Sequence, residues 1–163
     1  MTEAAGMADE WKLPWTAHCR CRAVTMTISA PPLLFMACHC RGCQRMTASA
    51  FSCSMAIPNS GFGVDGPPPA TRASEDGSPC THHFCPECHS WIFTSFPEEA
   101  GFTNVRATML DDPSWFAPFV ETQTAEKLRF AETGAPISYE RFPAIEDYPG
   151  LIERFQSEGA RPA

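Results

Sequence analysis

Seven of the nine cysteines in this chain of 163 residues fall into three tight clusters, and their spacing constrains the fold more than any other feature. Cys19 and Cys21 form C-x-C, Cys38, Cys40 and Cys43 form C-x-C-x-x-C, and Cys85 and Cys88 form C-x-x-C, while Cys53 and Cys80 stand alone. Thiols so near in sequence make poor structural disulfides, because the ring they would close is small and strained. An odd number also prevents complete pairing within one chain. Short pairs of this kind instead let two sulfurs converge on one ion, and zinc takes four such ligands tetrahedrally. The cysteines therefore read as metal ligands kept reduced. The acidic segment from Met1 to Glu10 lacks the basic flank and apolar run of a secretion signal, so the expected address is the cytoplasm.

The remaining pattern is that of strands. Val24, Met26 and Ile28 alternate with Thr25 and Thr27, and Phe51, Cys53, Met55 and Ile57 alternate with smaller residues. Leu33 to Ala37 is continuously apolar, as a strand buried on both faces would be, and Trp91 to Ser95 and Asn104 to Met109 are shorter candidates. Pro58 to Ser78, rich in proline and glycine, reads as a long surface connection, and Asp111-Asp112-Pro113 as a turn. Two short helices are expected, one over Arg41 to Thr47 and one near the C-terminus with Pro149 in a first helical position. The fold class is mainly β. The chain divides into an N-terminal extension (1–15), a zinc domain (16–135) and a C-terminal segment (136–163) whose short helix packs on that domain.

Charge excludes some partners. The formal charge is −7 and the sequence pI about 5.1, and metal thiolates would make it more negative. Counterion release from a duplex needs clustered Lys and Arg, so no nucleic acid partner is expected. No apolar run is long enough to cross a bilayer, so none is expected with a membrane either.

Seven clustered sulfurs exceed one four-ligand site by three. The simplest division joins Cys19 and Cys21 to Cys85 and Cys88, closing a long loop with a metal whose binding adds to folding free energy. Cys38, Cys40 and Cys43 would then leave a fourth position free, which distinguishes catalytic from structural zinc. At this point the alternatives stay open, since Cys53 or Cys80 could complete a second closed site. Cys53 lies on an apolar alternating face and suits the core, and Cys80 is read as incidental. His39 should point away from its flanking cysteines, as alternate residues of an extended strand do. His18 and His89, each next to a ligand cysteine, are read as non-ligands. Trp91, Phe93, Trp115, Phe116 and Phe119 suit core packing better than a pocket wall. Arg45 and Arg106 could bind a carboxylate bidentately but are read first as surface charges.

Four segments in this order, C-R-C, "APPLLFMACHCRGCQRMTASAFS", "FCPECHSWIF" and "VRATMLDDPSWFAPFVET", make the chain resemble the glutathione-dependent formaldehyde-activating enzyme family, which includes the domain of centromere protein V. The resemblance runs from about Cys19 to Glu121. It implies antiparallel sheets in a tent-like arrangement around two zinc ions per chain. It also implies Cys19, Cys21, Cys85 and Cys88 as structural ligands and Cys38, Cys40 and Cys43 as the catalytic set. The activity it implies is that of a carbon–sulfur lyase acting on S-hydroxymethylglutathione, with a small thiol such as glutathione, or its aldehyde adduct, as partner. The alternative is a non-catalytic, zinc-stabilised binding module. The chain departs from the family where glycine is usual: Arg22 follows the first pair, His89 follows the last, and Thr47-Ala48 replaces Thr-Gly. Such turns often need positive φ, which residues with a side chain adopt reluctantly.

Overall fold

The structure is a computed structural model that describes residues 10–163. Most of the predicted N-terminal extension, residues 1–9, lies outside the described residues. In the remainder of that extension Trp11 and Trp15 belong to the core: Trp11 is fully buried, 5.8 Å from Phe155 and 6.1 Å from Phe35 between ring centroids.

Eleven strands form two sheets among the described residues. The small sheet holds β1 (Trp15–His18), β2 (Thr25–Ile28) and β5 (Phe62–Asp65) in the order β1-β2-β5, all antiparallel. The large one adds β3 (Leu34–Cys38), β4 (Ser52–Pro58), β6 (Ala70–Ala73), β7 (Thr81–Phe84), β8 (Trp91–Ser95), β9 (Phe102–Arg106), β10 (Val120–Thr122) and β11 (Ile137–Ser138). Its order is β11-β10-β3-β4-β9-β8-β7-β6, antiparallel except that β10 runs parallel to both β3 and β11. The fold is mainly β, with that one parallel insertion in an otherwise antiparallel arrangement. No helix among the described residues is long and apolar enough to cross a membrane.

Where alternation is clear the predicted strands form. Trp91–Ser95 is a strand over the expected residues, and Leu33 to Ala37 shifts by one residue to β3. The stretch from Arg22 begins as a strand only at Thr25, because Cys19 to Val24 are committed to a tight turn. Residues 107–109 leave β9 as a 3-10 turn. The predicted loop from Pro58 to Ser78 is corrected: it contains β5 and β6, whose residues are almost all exposed. Neither strand buries a face, so neither leaves an alternating pattern to read.

The α-helices that lie wholly within the described residues are α1 (Arg41–Thr47) and α2 (Tyr148–Glu158). In α2, Pro149 sits in the first turn as expected, and Leu151 and Phe155, four residues apart, form the buried stripe. Phe155 meets Phe35 at 4.7 Å and Phe119 at 5.6 Å between ring centroids, so the helix packs across β3. Phe35, Trp115 and Phe116 stack within this core, Trp115 also 4.9 Å from Trp15. The rigid middle of the large sheet ends, at the last residue of β3, on Cys38. Cys40 follows as the N-cap of α1, and Cys43 lies in the first turn of that helix.

Candidate metal centres

Cys19, Cys21, Cys85 and Cys88 come together although 64 residues separate Cys21 from Cys85. One pair leaves β1 and the other turns the chain between β7 and β8. Each of the four offers a sulfur within 4.8 Å of every other. Cys19 and Cys21 are 3.6 Å apart at sulfur and Cys21 and Cys85 3.7 Å. Zinc–thiolate bonds of about 2.3 Å in a tetrahedron give a sulfur–sulfur edge of about 3.8 Å, so the donor set fits that ion. The turns that aim these sulfurs are hydrogen-bonded. Val24 N–H donates to Cys19 Sγ at 3.3 Å, Arg22 N–H to the Cys19 carbonyl at 2.9 Å, and His89 N–H to the Cys85 carbonyl at 2.9 Å. Cys19 and Cys85 are buried in the core, Cys88 is half-buried and Cys21 exposed.

The positions that depart from glycine lie in the left-handed region. Arg22 has φ 66°, His89 φ 61° and Ala48 φ 51°. Each therefore carries a Cβ where the backbone disfavours one. His89 takes part as backbone, and His18 turns away to Asp111, 2.6 Å from Nδ1. Asp112 closes the predicted turn by accepting from Ser114 N–H at 3.0 Å and its hydroxyl at 2.6 Å.

Cys38, Cys40 and Cys43 form the second group, again with all sulfurs within 4.8 Å. Among the described residues no fourth His, Cys, Asp or Glu joins them. Cys53 and Cys80 belong to neither group. Cys53 sits half-buried on β4, where burial pushes its thiol up, and Cys80 contacts Ser78 Oγ at 3.3 Å. Cys40 caps α1: its sulfur accepts from Cys43 N–H at 3.3 Å. Without metal the three sulfurs share protons. Hydrogen bonds from Cys38 and Cys43 pull Cys40 down, contact with Cys40 pushes Cys38 up, and contacts with Cys38 and Cys40 push Cys43 up. Loading a metal must release the protons that these sulfurs hold.

What holds the trio is a set of polar side chains that the sequence did not mark. His39, between two of the cysteines, points away from them as expected, is fully buried, and places Nε2 2.9 Å from Glu121 Oε2. Glu121 is itself only 6% exposed. Its carboxylate accepts from Lys127 Nζ at 3.2 Å, Thr133 Oγ1 at 2.8 Å and Ser138 Oγ at 2.6 Å. Burial opposes its ionisation, but the bonds from Ser138, His39, Thr133 and Lys127 outweigh that and hold it at about 2. Gln44, buried on α1, donates to the His39 carbonyl at 2.6 Å and the Glu126 carbonyl at 2.9 Å, pinning the helix to the end of β3. A lone glutamate in the apolar run "FAPFVET" was the only available hint of this network.

Arg106 also differs from its expected role. It is not a surface charge but 6% exposed, stacked 4.0 Å over Trp91. Arg45 is exposed on α1, beside an open hollow of about 500 Å³ that it lines with Arg41, Gln44, Leu128 and Phe130. Of the aromatic residues read as core, Phe93, Phe119 and Trp91 are buried and Trp115 and Phe116 pack against the core.

A mainly β fold carrying one four-thiolate and one three-thiolate cluster, each shaped for a metal ion, defines the class of protein. The chain belongs to the glutathione-dependent formaldehyde-activating enzyme family, whose pattern matches residues 14–126. It is also similar to a Rhodobacter sphaeroides protein of known crystal structure, at 17% identity and a TM-score of 0.48, over 59% of this chain and 87% of that one. No curated protein matches it.

Proposed function

We propose that this protein is a zinc-dependent carbon–sulfur lyase acting on a small thiol adduct such as S-hydroxymethylglutathione. The observation that carries the reading is the unequal donor count: four sulfurs in one cluster and three in the other, with no fourth side-chain donor beside the three among the described residues. Cys19, Cys21, Cys85 and Cys88 hold a structural zinc, and Cys38, Cys40 and Cys43 hold a second with a position left for substrate sulfur. Zinc bound there would lower the pKa of a thiol and keep it as thiolate, the form that bonds to or departs from an aldehyde carbon.

The chain's own residues aim and insulate that sulfur. Cys40 and Cys43, joined by an N–H to sulfur bond at the start of α1, fix two donors on one turn. β3 fixes the third. His39 serves as a strut to Glu121, since its Nε2 is already engaged there. The thiols require a reducing compartment, which agrees with a cytoplasmic location.

Metal analysis with X-ray absorption at the zinc edge tests the reading. Two zinc ions per chain with about 3.5 sulfurs each on average, and a lighter donor completing the shell, are expected from seven sulfurs. One zinc per chain would defeat it. Four sulfurs around each of two ions would favour the non-catalytic binding module instead.

A further inference from the structure

Arg106 ends β9, where it pairs in register with Ser54 of β4, while Ser52, two residues earlier on β4, pairs with Cys38. Residues two apart on a strand share a face, so Cys38, Ser52, Ser54 and Arg106 lie on one side of the sheet. Two strands across and two residues along separate the Cα atoms of Cys38 and Arg106 by about 12 Å. The arginine side chain and a short carboxylated thiol together span that distance. Burial pushes the guanidinium down to about 10, and negative charge on the Cys43 or Cys38 sulfur acts in the opposite direction, so the trio lies within electrostatic reach of it.

This guanidinium is poorly satisfied for a buried cation. Its one hydrogen bond is from Nη2 to the Asn104 carbonyl, at 3.2 Å. Nε has no partner among the described residues, and neither does the Oδ1 of Asn104, its neighbour on the same face. Arg106 forms no ion pair with an acidic side chain among the described residues. Leaving a buried charge without a counterion is costly, and stacking on Trp91 recovers only part of that cost. A buried polar group without a protein partner calls for an explanation, and a bound ligand is one that a buried guanidinium near a reactive cluster fits. A planar fork with free donors is complementary to a carboxylate, and burial makes that bond stronger than any that exposed Arg45 could form.

We infer that Arg106 binds a carboxylate of the substrate, so that the site takes anionic thiols and their adducts in preference to neutral ones. This rests on the thiol-handling reading of the trio. Asn104 Oδ1, beside the guanidinium, is placed to accept from an N–H of the same ligand. The preferred class is thus a thiol of amino-acid or peptide type.

Cobalt substituted into the holo-protein reports a thiol at the trio through its sulfur-to-metal absorption. The probes are glutathione, its diethyl ester and 2-mercaptoethanol. The wild-type protein should bind glutathione at least about tenfold more tightly than the ester, as expected for a charge-assisted pair. Arg106→Gln should cut that preference to below about threefold while leaving the affinity for the ester unchanged, and Arg106→Lys should keep part of it. Arg45→Gln should keep all of it. A preference that survives Arg106→Gln, or disappears with Arg45→Gln, overturns the assignment. Should Arg106→Gln fail to fold, the wild-type comparison of acid with ester and Arg106→Lys still decide. Equal response to all three thiols overturns the anion site alone, whereas a spectrum moved by none overturns the thiol-handling reading and this inference with it.

Discussion

The two cysteine clusters solve opposite problems. The four-cysteine cluster gathers sulfurs from both sides of a separation of 64 residues, so a metal bound there would tie β1 to the turn between β7 and β8. The trio spans only Cys38 to Cys43, so a metal there would tie nothing distant together, and a separate network of Glu121, His39 and Gln44 holds the segment in place. Long-range ligation does structural work because it replaces the entropy of closing a large loop. An ion held by local ligands alone would carry no such structural burden, which is what the proposed catalytic role of the trio requires. The general lesson is that the sequence span of a ligand set, together with its donor count, separates a staple from a workplace.

The largest expected effect breaks the first half of that comparison. Cys85→Ser should lose the four-cysteine metal and much of the domain with it, because structural zinc contributes on the order of 10 kcal/mol to folding of small zinc modules. Cys40→Ser should lose the other metal and remain folded. Near-ultraviolet circular dichroism, thermal unfolding and zinc content of the two variants measure this. Equal damage from both would show that the trio is also a staple.

The clusters were legible in the sequence because metal ligation imposes short spacings that survive any fold. So were β3 and β8, whose apolar runs are buried. β5 and β6 were not, since they lie exposed along what reads as a proline- and glycine-rich loop. The three-residue β10 and two-residue β11 are too short to carry a period, and the parallel pairing of β10 depends on long-range contacts alone. The Glu121 network and the burial of Arg106 escaped for the same reason: a single charged residue looks alike in sequence whether solvated or enclosed. The glycine departures, by contrast, pointed correctly to strained turns at Arg22, His89 and Ala48.

An intermediate effect sharpens the second half. Glu121 is held at about 2, below its ordinary 4.5, so its ionised form stabilises the fold above pH 4.5 and that contribution is lost as pH falls towards 2. The shift corresponds to about 3 kcal/mol, an order-of-magnitude figure for a buried group. Glu121→Gln should therefore be about 3 kcal/mol less stable than wild type at pH 7, and the gap should close between pH 5 and 2. Denaturant titrations of the cadmium-loaded proteins, whose softer ion holds thiolates to lower pH than zinc does, test it over the range in which the metal stays bound. A gap independent of pH would mean that packing, not charge, is what Glu121 supplies. The same variant should weaken zinc at the trio and leave the four-cysteine zinc untouched.

The smallest effect comes from the turns themselves. A residue with a Cβ at φ near 60° costs about 1 kcal/mol relative to glycine, offset by the greater freedom glycine brings to the unfolded chain. Arg22→Gly and His89→Gly should each stabilise the metal-loaded protein by about 0.5 kcal/mol. The loss of the exposed Arg22 contact with Asp111, at 3.9 Å, subtracts little. Ala48→Gly, at the left-handed residue that ends α1, should gain a similar amount through the same relief. Because the first two relax turns around a staple and the third relaxes the helix beside the trio, their consequences for metal should separate. Arg22→Gly and His89→Gly should slow zinc loss to a chelator from the four-cysteine cluster, whereas Ala48→Gly should leave that rate unchanged. If all three slowed it alike, the strain would be shared across the fold and the two clusters would not be the independent units their geometry describes.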